Sequence, residues 1–172
     1  MSGEKVIYKG RIFTLKSEEV EIGGKVLRRD VVYHPGAVAM LVRDEMGRFL
    51  FVKQYRHPAR GYLIEIPAGT LEEGESPEET ARRELLEEGG IIARELKLLT
   101  RFYVAPGYTT ELIYLFYVDD FEITENDPEE DEDIEILWIP EGEAFDMLLR
   151  GKIMDAKTMI ALLWWKNFIH GD

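Results

Sequence analysis

Residues 69–91, GTLEEGESPEETARRELLEEGGI, carry the strongest structural and chemical signal in this sequence of 172 residues. They predict a helix that begins at Pro77, because Ser76 is a favourable N-cap and Glu79, three residues later, completes a capping box. Gly89-Gly90 predicts the end of the helix, since glycine readily adopts the left-handed conformation of a C-terminal cap.

The predicted helix, Pro77 to Glu88, carries negative charge where it is least favourable. Glu84, Glu87 and Glu88 are spaced i, i+3 and i+4, so their carboxylates share one side. The helix dipole disfavours each charge in the last turns by about 0.3–1 kcal/mol, and each like-charged pair adds about 0.2–0.5 kcal/mol. A solvated acidic face explains many such helices. A bound divalent cation would instead turn these repulsions into attractions, because Mg²⁺ prefers oxygen ligands.

The spacing of the whole stretch favours the cation. It reads G-x5-E-x7-R-E-U-x-E-E-x-G-U, where U is aliphatic, from Gly69 to Ile91, and all nine specified positions match. With residue abundances of several per cent each, chance gives such a match on the order of once in a billion start points. This pattern is the Nudix box, and the chain resembles the Nudix hydrolases along nearly its whole length.

The resemblance implies a divalent-metal site on the box, with Mg²⁺ as cofactor and Mn²⁺ as a substitute. Glu84 and Glu88 match the principal carboxylate ligands of the family, and Glu87 matches a further ligand, direct or through water. The main-chain carbonyl of Ala68, just before the box, matches the main-chain ligand. Gly69 and Gly90 are interpreted as structural, allowing the loop to approach the helix closely.

The resemblance also implies catalytic residues. Arg83 matches the arginine that orients the glutamates, and Glu75 matches the acid that pairs with it. The acidic run from Asn126 to Asp133 is typical of a solvated loop. In the branch that this chain resembles, however, a loop at this point supplies a glutamate that acts as base or as an extra metal ligand. Glu132 and Glu130 are the candidates there, and Glu87 is a third candidate on the box.

Signals outside the box favour the ADP-ribose pyrophosphatase branch. Pro106 lies 15 residues beyond Ile91, as in that branch, although Pro-Gly is also an ordinary turn. There are five further substrate-binding candidates, and an ordinary surface or turn role is the alternative for each. Arg56 would bind the phosphates, and Arg28 and Arg29 would reach the adenosine end across a dimer. Glu111 and Glu72 would be acids of the substrate pocket.

The resemblance therefore implies hydrolysis of ADP-ribose to AMP and ribose 5-phosphate. Hydrolysis of another nucleoside diphosphate sugar is the first alternative. A non-catalytic Nudix domain that senses ADP-ribose is the second, and it is disfavoured because every acid of the box is present and no basic helix-turn-helix follows.

Period-two and helical patterns around the box predict the fold. The predicted strands are Val6 to Lys16, Ser17 to Ile22, Lys25 to Tyr33, Ala37 to Val42, Phe49 to Gln54, Leu63 to Ile66, Leu96 to Tyr103, Leu112 to Val118 and Ile134 to Ile139. Helices are predicted at Glu141 to Arg150 and Asp155 to His170. This order predicts an α/β fold with a mixed sheet sandwiched between helices (α/β/α), which is also the Nudix fold. Pro35-Gly36 divides it into an N-terminal antiparallel β extension, 1–36, and a Nudix hydrolase domain, 37–172.

Composition limits the partners and the compartment. A net charge of −13 disfavours nucleic acid, and no apolar window is long enough to span a membrane. The absence of cysteine and of a signal-peptide pattern predicts a cytoplasmic protein. His34, His57 and His170 lack metal-ligand spacing and are interpreted as structural or surface residues. Trp164 and Trp165 are interpreted as core residues, with an interface as the alternative for one of them. The short β extension has little sequence for a core of its own, so a homodimer is expected in which it packs on the partner.

Overall fold

A computed structural model describes residues 3–124 and 134–170 of the chain. In these ranges the helices are α1 (Pro77–Gly89), α2 (Glu141–Leu149) and α3 (Ala156–Trp164), the last continued by a π-helical segment (Trp165–Ile169). The strands are β1 (Lys5–Lys9), β2 (Thr14–Ile22), β3 (Lys25–Tyr33), β4 (Ala37–Val42), β5 (Arg48–Arg56), β6 (Gly61–Glu65), β7 (Ala68–Thr70), β8 (Ile91–Ala93), β9 (Lys97–Tyr103), β10 (Leu112–Val118), β11 (Phe121–Ile123) and β12 (Ile134–Pro140).

Strand β4 sets the layers because both of its faces are buried. Ala39 and Leu41 contribute to one hydrophobic core, which α2 and α3 cover. Val38 and Met40 alternate with them and contribute to a second core, which α1 covers through Leu85 and its neighbours. Burial on both faces explains why every residue of this strand is apolar. The predicted α/β/α arrangement is confirmed.

The strands form sheets in the orders β7-β4-β10-β9, β12-β5-β6, β11-β8 and β1-β2-β3. The pair β4–β10 is parallel, whereas β4–β7 and β9–β10 are antiparallel, so the sheet is mixed as predicted. This pairing places β7, the strand that leads into the box, beside β4 in the middle of the molecule.

Several boundaries differ from the prediction. The sequence predicts one strand from Val6 to Lys16, but a turn closed by a 2.9 Å hydrogen bond from Gly10 N to Phe13 O separates β1 from β2. The three-residue strands β7, β8 and β11 were not predicted, because segments this short show no periodicity and depend on distant partners. The predicted C-terminal helix is divided into α3 and the π-helical segment.

The three-stranded N-terminal sheet meets the rest of the chain through β3. Val32 N donates to Tyr108 O at 2.8 Å, and Thr110 N donates to Val32 O at 3.0 Å. Strand β1 is exposed along its whole length. The division at residue 36 stays a prediction. None of the helices in the described ranges is long and apolar enough to cross a membrane.

Candidate active site

Helix α1 begins and ends as its sequence predicts. The Ser76 hydroxyl accepts from Glu79 N at 3.3 Å, and Ser76 N donates to the Glu79 carboxylate at 2.8 Å, which completes the capping box. Gly90 ends the helix with a positive φ of 61°. Ala81 and Leu85 are buried against the second core, so the acidic side of the last turns faces away from it.

Arg83 lies among the acids of this helix. Its Nη1 donates to Glu84 Oε1 at 2.9 Å and to Glu87 Oε2 at 3.0 Å. Its Nε and Nη2 each donate to the Glu75 carboxylate at 3.2 Å, and Glu72 is 3.8 Å away. The sequence-based expectation that Arg83 orients the glutamates and pairs with Glu75 therefore has a geometric basis.

The charges around Arg83 reinforce one another. Burial opposes the guanidinium charge, but the hydrogen bond to Glu75 and the charge of Glu84 outweigh burial and raise the pKa of Arg83 above its usual value. In return, the hydrogen bond from Arg83, aided by the Thr80 hydroxyl, lowers the pKa of Glu75. Arg83 is thus protonated and Glu75 ionised at neutral pH.

Strand β7 approaches the helix closely at Gly69. A Cβ atom on Gly69 would lie 1.9 Å from Glu84 Cδ and 2.0 Å from Glu84 Oε1, which only glycine avoids. The neighbouring Ala68 N donates to Glu88 Oε2 at 3.1 Å, and Glu88 is buried. The box loop and α1 thereby hold Glu84 and Glu88 against one edge of β7.

A cavity of about 610 Å³ opens beside these acids. Its lining is mainly charged and comprises Arg11, Ile12, Pro35, Arg56, Ala68, Gly69, Thr70, Leu71, Glu72, Glu73, Arg83, Glu84, Glu87 and Glu88. The available donors are carboxylate and main-chain oxygens, which suit hard cations such as Mg²⁺ and Mn²⁺. Among the described residues, no three acidic or histidine side chains converge as a ready-made metal site. Arg83 Nη1 lies between Glu84 and Glu87, with a hydrogen bond to each.

A second cavity, of about 490 Å³, continues from the first. The two share Arg56, Ala68, Gly69 and Thr70, so they form one cleft with an acidic half and a second half. The second half is lined mainly by apolar side chains, among them Leu63, Phe102, Val104, Ile113 and Ile160, together with Glu111 and Lys157.

Arg56, which lies at the junction of the two halves, is held by a buried acid. Its Nε donates to Glu65 Oε1 and its Nη2 to Glu65 Oε2, both at 2.9 Å. Lys157 also donates to Glu65 Oε2. Burial raises the pKa of Glu65, but the hydrogen bond from Arg56 and the charge of Lys157 outweigh burial and lower it overall. Both cations therefore surround an ionised carboxylate.

The family model described as "NUDIX domain" matches residues 32–163. This chain belongs to the Nudix family. The protein named "ADP-ribose pyrophosphatase" from Bacillus subtilis (strain 168) is 40% identical over 159 residues, covering 91% of this chain and 86% of that protein. The protein named "GDP-mannose pyrophosphatase" from Yersinia pestis (strain Pestoides F) is 36% identical over 161 residues, covering 87% and 79%.

A solved structure of a protein described as "ADP compounds hydrolase" shares the fold. It superposes with a TM-score of 0.80 over 98% of this chain and 92% of that chain, at 22% identity. The fold of this chain is therefore the Nudix fold, with the Nudix box forming the β7 loop and α1.

The remaining candidates are divided between the cleft and other surfaces. Glu111 lines the second half and Glu72 the acidic half, whereas Pro106 lines neither cavity. Arg28 pairs with Glu19 at 3.5 Å on the exposed β hairpin, and the Arg29 side chain donates to a main-chain oxygen. The structure of the single chain does not bring Arg28 or Arg29 to the cleft. Glu130 and Glu132 lie outside the described residues.

The three histidines and the two tryptophans of the C-terminal segment, Trp164 and Trp165, line neither cavity of the cleft. His34 accepts a hydrogen bond from Gly36 N at 3.1 Å through Nδ1, and His170 stacks on Trp165. Trp165 is buried in the first core as predicted, whereas Trp164 is half-buried and packs on Phe168.

Sequence reasoning missed several residues of the cleft, among them Glu65, Asp155 and Lys157. No motif connects them, and Lys157 is 92 residues from Glu65. One signal was present in the sequence: Glu65 is an acid within the apolar segment from Leu63 to Ile66. An acid buried in such a strand requires a partner, so a nearby cation could have been expected. Arg11 and Ile12 of the β extension, which line the acidic half, were also missed.

Proposed function

We propose that this protein hydrolyses the pyrophosphate bond of ADP-ribose to AMP and ribose 5-phosphate, with Mg²⁺ as cofactor and Mn²⁺ as a substitute. The observation that carries the proposal is the single cleft in which the acids of the Nudix box adjoin an anchored arginine. The 40% identity to a protein named ADP-ribose pyrophosphatase supports this substrate over others.

The acidic half of the cleft fits a divalent cation. Glu84, Glu87, Glu88 and the carbonyl of Ala68 would hold it, because they supply oxygen donors to the same half of the cleft. The three carboxylates would have to turn to converge on one ion. A bound cation neutralises phosphate oxygens and lowers the pKa of coordinated water. Arg83 positions Glu84 and Glu87 through its hydrogen bonds of 2.9 and 3.0 Å.

The chain's own residues perform the remaining tasks. Arg56 binds a phosphate of the substrate, since its guanidinium is already fixed by Glu65 and a fixed arginine loses little freedom on binding. A carboxylate, with Glu87, Glu130 and Glu132 as candidates, takes the proton of the attacking water. The water oxygen bonds to one phosphorus, the bond from that phosphorus to the bridging oxygen breaks, and each product keeps one phosphate.

The second half of the cleft suits the less polar parts of a nucleotide sugar. Its apolar lining, with Phe102 and Ile113 among the contacts, can cover a base or ribose ring. Glu111, on the same wall, accepts hydrogen bonds from hydroxyl groups. Glu72, at the rim of the acidic half, and Pro106, in the neighbouring loop, remain candidate substrate contacts.

The proposal includes a homodimer in which residues 1–36 pack on the partner. Val6, Ile7 and Tyr8 of β1 are each about half exposed, at 53%, 51% and 55%, although they are apolar. An apolar edge strand of this kind needs a cover. Arg28 and Arg29, which do not reach their own cleft, would then lie near the partner's substrate. The absence of cysteine supports a cytoplasmic location, and the charge of −13 disfavours nucleic acid as a partner.

Another nucleoside diphosphate sugar is the second candidate substrate. It is favoured by the 36% identity to a protein named GDP-mannose pyrophosphatase. The two candidates differ in the base and the sugar but share the diphosphate, so the acidic half and Arg56 suit both. Discrimination must therefore come from the second half of the cleft.

A substrate screen tests the proposal. ADP-ribose, GDP-mannose and other nucleotide sugars are incubated with the protein and Mg²⁺, and the products are separated and identified. We expect the highest kcat/KM for ADP-ribose, with AMP and ribose 5-phosphate in equal amounts. A preference for GDP-mannose would replace ADP-ribose with the second candidate. No hydrolysis of any nucleotide sugar would refute the enzymatic function.

A further inference from the structure

Glu65 is a buried acid that binds two cations from different elements. It is 1% exposed at the end of β6. Arg56 approaches it from the end of β5 with two hydrogen bonds of 2.9 Å, and Lys157 approaches it from the first turn of α3. Lys157 also donates to Asp155 Oδ1 at 2.9 Å, and Asp155 is the N-cap of α3.

Such a network would brace α3 against the sheet whatever the function. A brace alone, however, would be satisfied by one cation away from the cleft. Here Arg56 and Lys157 both line the second half of the cleft, where most other lining side chains are apolar. Pairing with Glu65 and Asp155 accounts for the burial of these charges, and their position on the cleft wall places both cations within reach of a bound anion.

The two cations retain donors that these pairs do not use. Glu65 engages Nε and Nη2 of Arg56, so the N–H groups of Nη1 take no part in this pair. Lys157 has three N–H donors, and Glu65 and Asp155 accept from two of them. Each cation can thus add a bond to an anion without leaving Glu65.

Their spacing suits one phosphate group. Arg56 Nη2 and Lys157 Nζ donate to the same oxygen, Glu65 Oε2. Two hydrogen bonds of about 3 Å that share an acceptor keep their donors within about 6 Å of each other. A phosphate, with several oxygens on one phosphorus, can accept from both.

We propose that Lys157 is a second substrate-binding cation, which acts with Arg56 on one phosphate of the diphosphate, and that Glu65 is the positioning residue that aligns the two. This inference rests on the proposed function, because it assigns the diphosphate of that substrate to the junction of the cleft. It adds Lys157 and Glu65 to the proposed site, which otherwise comprises Arg56 and the proposed metal-binding residues of the Nudix box.

The direct test replaces Lys157 and compares KM with kcat for ADP-ribose at saturating Mg²⁺. Lys157→Met keeps the length of the side chain and removes the charge. Loss of one hydrogen bond to a charged group predicts a KM about tenfold to a hundredfold higher, with kcat within about threefold. Lys157→Arg, which keeps the charge, should recover most of the loss. If Lys157→Met does not fold, Lys157→Gln, which can still donate to Glu65, takes its place.

Lys97→Met is the matched control. Lys97 also forms an ion pair, with Asp119 at 2.9 Å, but it is exposed and lines neither cavity. The control removes the same charge from the same protein, so KM should not change. An equal rise in KM for both variants would overturn the inference and assign the effect to net charge.

Glu65→Gln tests the positioning role. It keeps the shape of the side chain but releases the charge that holds both cations, so we expect a rise in KM at least as large as that of Lys157→Met. Adding Lys157→Met to this variant should then raise KM little further, because the alignment is already lost. Additive effects on KM would overturn the assignment of Glu65 as the residue through which Lys157 is aligned.

Binding of ADP measured by calorimetry separates the inference from the proposed function. Wild-type protein that hydrolyses ADP-ribose, with a Lys157→Met variant that keeps its KM and ADP affinity, would overturn the inference alone. Wild-type protein that hydrolyses no nucleotide sugar would refute the proposed function. In that case, weaker ADP binding by Lys157→Met than by Lys97→Met still supports the paired cations, and equal binding overturns them.

Discussion

Gly69→Ala is the sharpest single perturbation of the candidate metal site, because the new methyl group meets one side chain. A Cβ on Gly69 would lie 1.9 Å from Glu84 Cδ, 2.0 Å from its Oε1 and 2.3 Å from its Cγ. Restoring an ordinary contact of 3.4 Å from 1.9 Å requires a displacement of about 1.5 Å. The atoms that must move belong to a flexible side chain and not to the backbone.

Because a side chain and not the backbone must move, the effect of Gly69→Ala on folding can be separated from its effect on activity. A displaced Glu84 loses its hydrogen bond with Arg83, which costs about 1.5–3 kcal/mol. For a domain of this size the melting temperature should fall by no more than about 10 °C. A ligand misplaced by more than 1 Å lowers activity by about a hundredfold or more. We therefore expect a folded protein with a large loss of kcat/KM and a higher requirement for Mg²⁺.

The measurements are kcat/KM for ADP-ribose over a series of Mg²⁺ concentrations and the melting temperature without metal. Gly142→Ala is the matched control, since nothing lies within 4 Å of its new Cβ and the residue is in α2. That variant should keep its activity and gain about 0.5–1 kcal/mol of stability. A Gly69→Ala protein with kcat/KM within threefold of wild type would refute the reasoning. So would a fall of more than 20 °C in melting temperature, which would mean that the loop is displaced and not Glu84.

Three further predictions concern the metal, the substrate and the assembly. Glu84→Gln and Glu88→Gln should each lower kcat by about a hundredfold or more with little change in melting temperature, because Ala68 N can still donate to the amide oxygen at position 88 and Arg83 keeps Glu75 and Glu87; near wild-type activity at saturating Mg²⁺ would exclude them as ligands. In calorimetric titrations, ADP-ribose should bind much more weakly in excess EDTA than with Mg²⁺, and equal affinities would assign the phosphate to Arg56 and its neighbours alone. Light scattering should show a homodimer, and deletion of residues 1–36 should give a monomer with reduced affinity for ADP-ribose; a full-length monomer of about 20 kDa at micromolar concentration would contradict the exchange and remove Arg28 and Arg29 from the site.

The parts of the fold that the sequence predicted are those with local causes. The start of α1 depends on Ser76 and Glu79, three residues apart, and its end on Gly90. The buried strand β4 is visible as six consecutive apolar residues. In these cases the residues that determine the structure lie within one turn or one strand of one another, so periodicity and capping are sufficient.

The parts that were missed depend on distant residues. Strands β8 and β11 are three residues each, and their pairing joins Ile92 to Glu122 across 30 positions of the chain. The Glu65–Lys157 pair spans 92 positions. Neither has a local pattern, because contacts of this kind exist only after the sheet and α3 have packed. Arg28 and Arg29 show the converse: a resemblance assigned them to a site that a single chain does not place beside them.

The acids of α1 show that the sequence of a helix gives only part of the energetics of its charged side chains. Taken alone, Glu84, Glu87 and Glu88 repel one another and the helix dipole. In the folded chain Arg83 offsets part of that repulsion through hydrogen bonds to Glu84 and Glu87. A metal ion is therefore not needed to stabilise the helix, and the candidate metal site can keep its shape before any cation is bound.

The charge that remains supports the proposed dependence of substrate binding on a cation. Five glutamates and three arginines line the acidic half, giving a formal charge of −5 + 3 = −2. A diphosphate, which carries about two negative charges, is repelled by that field even beside Arg56. One divalent cation brings the lining to zero, and a second would make it attractive. Under the proposed function, metal binding and substrate binding should consequently be linked, and the affinity difference between EDTA and Mg²⁺ measures that linkage directly.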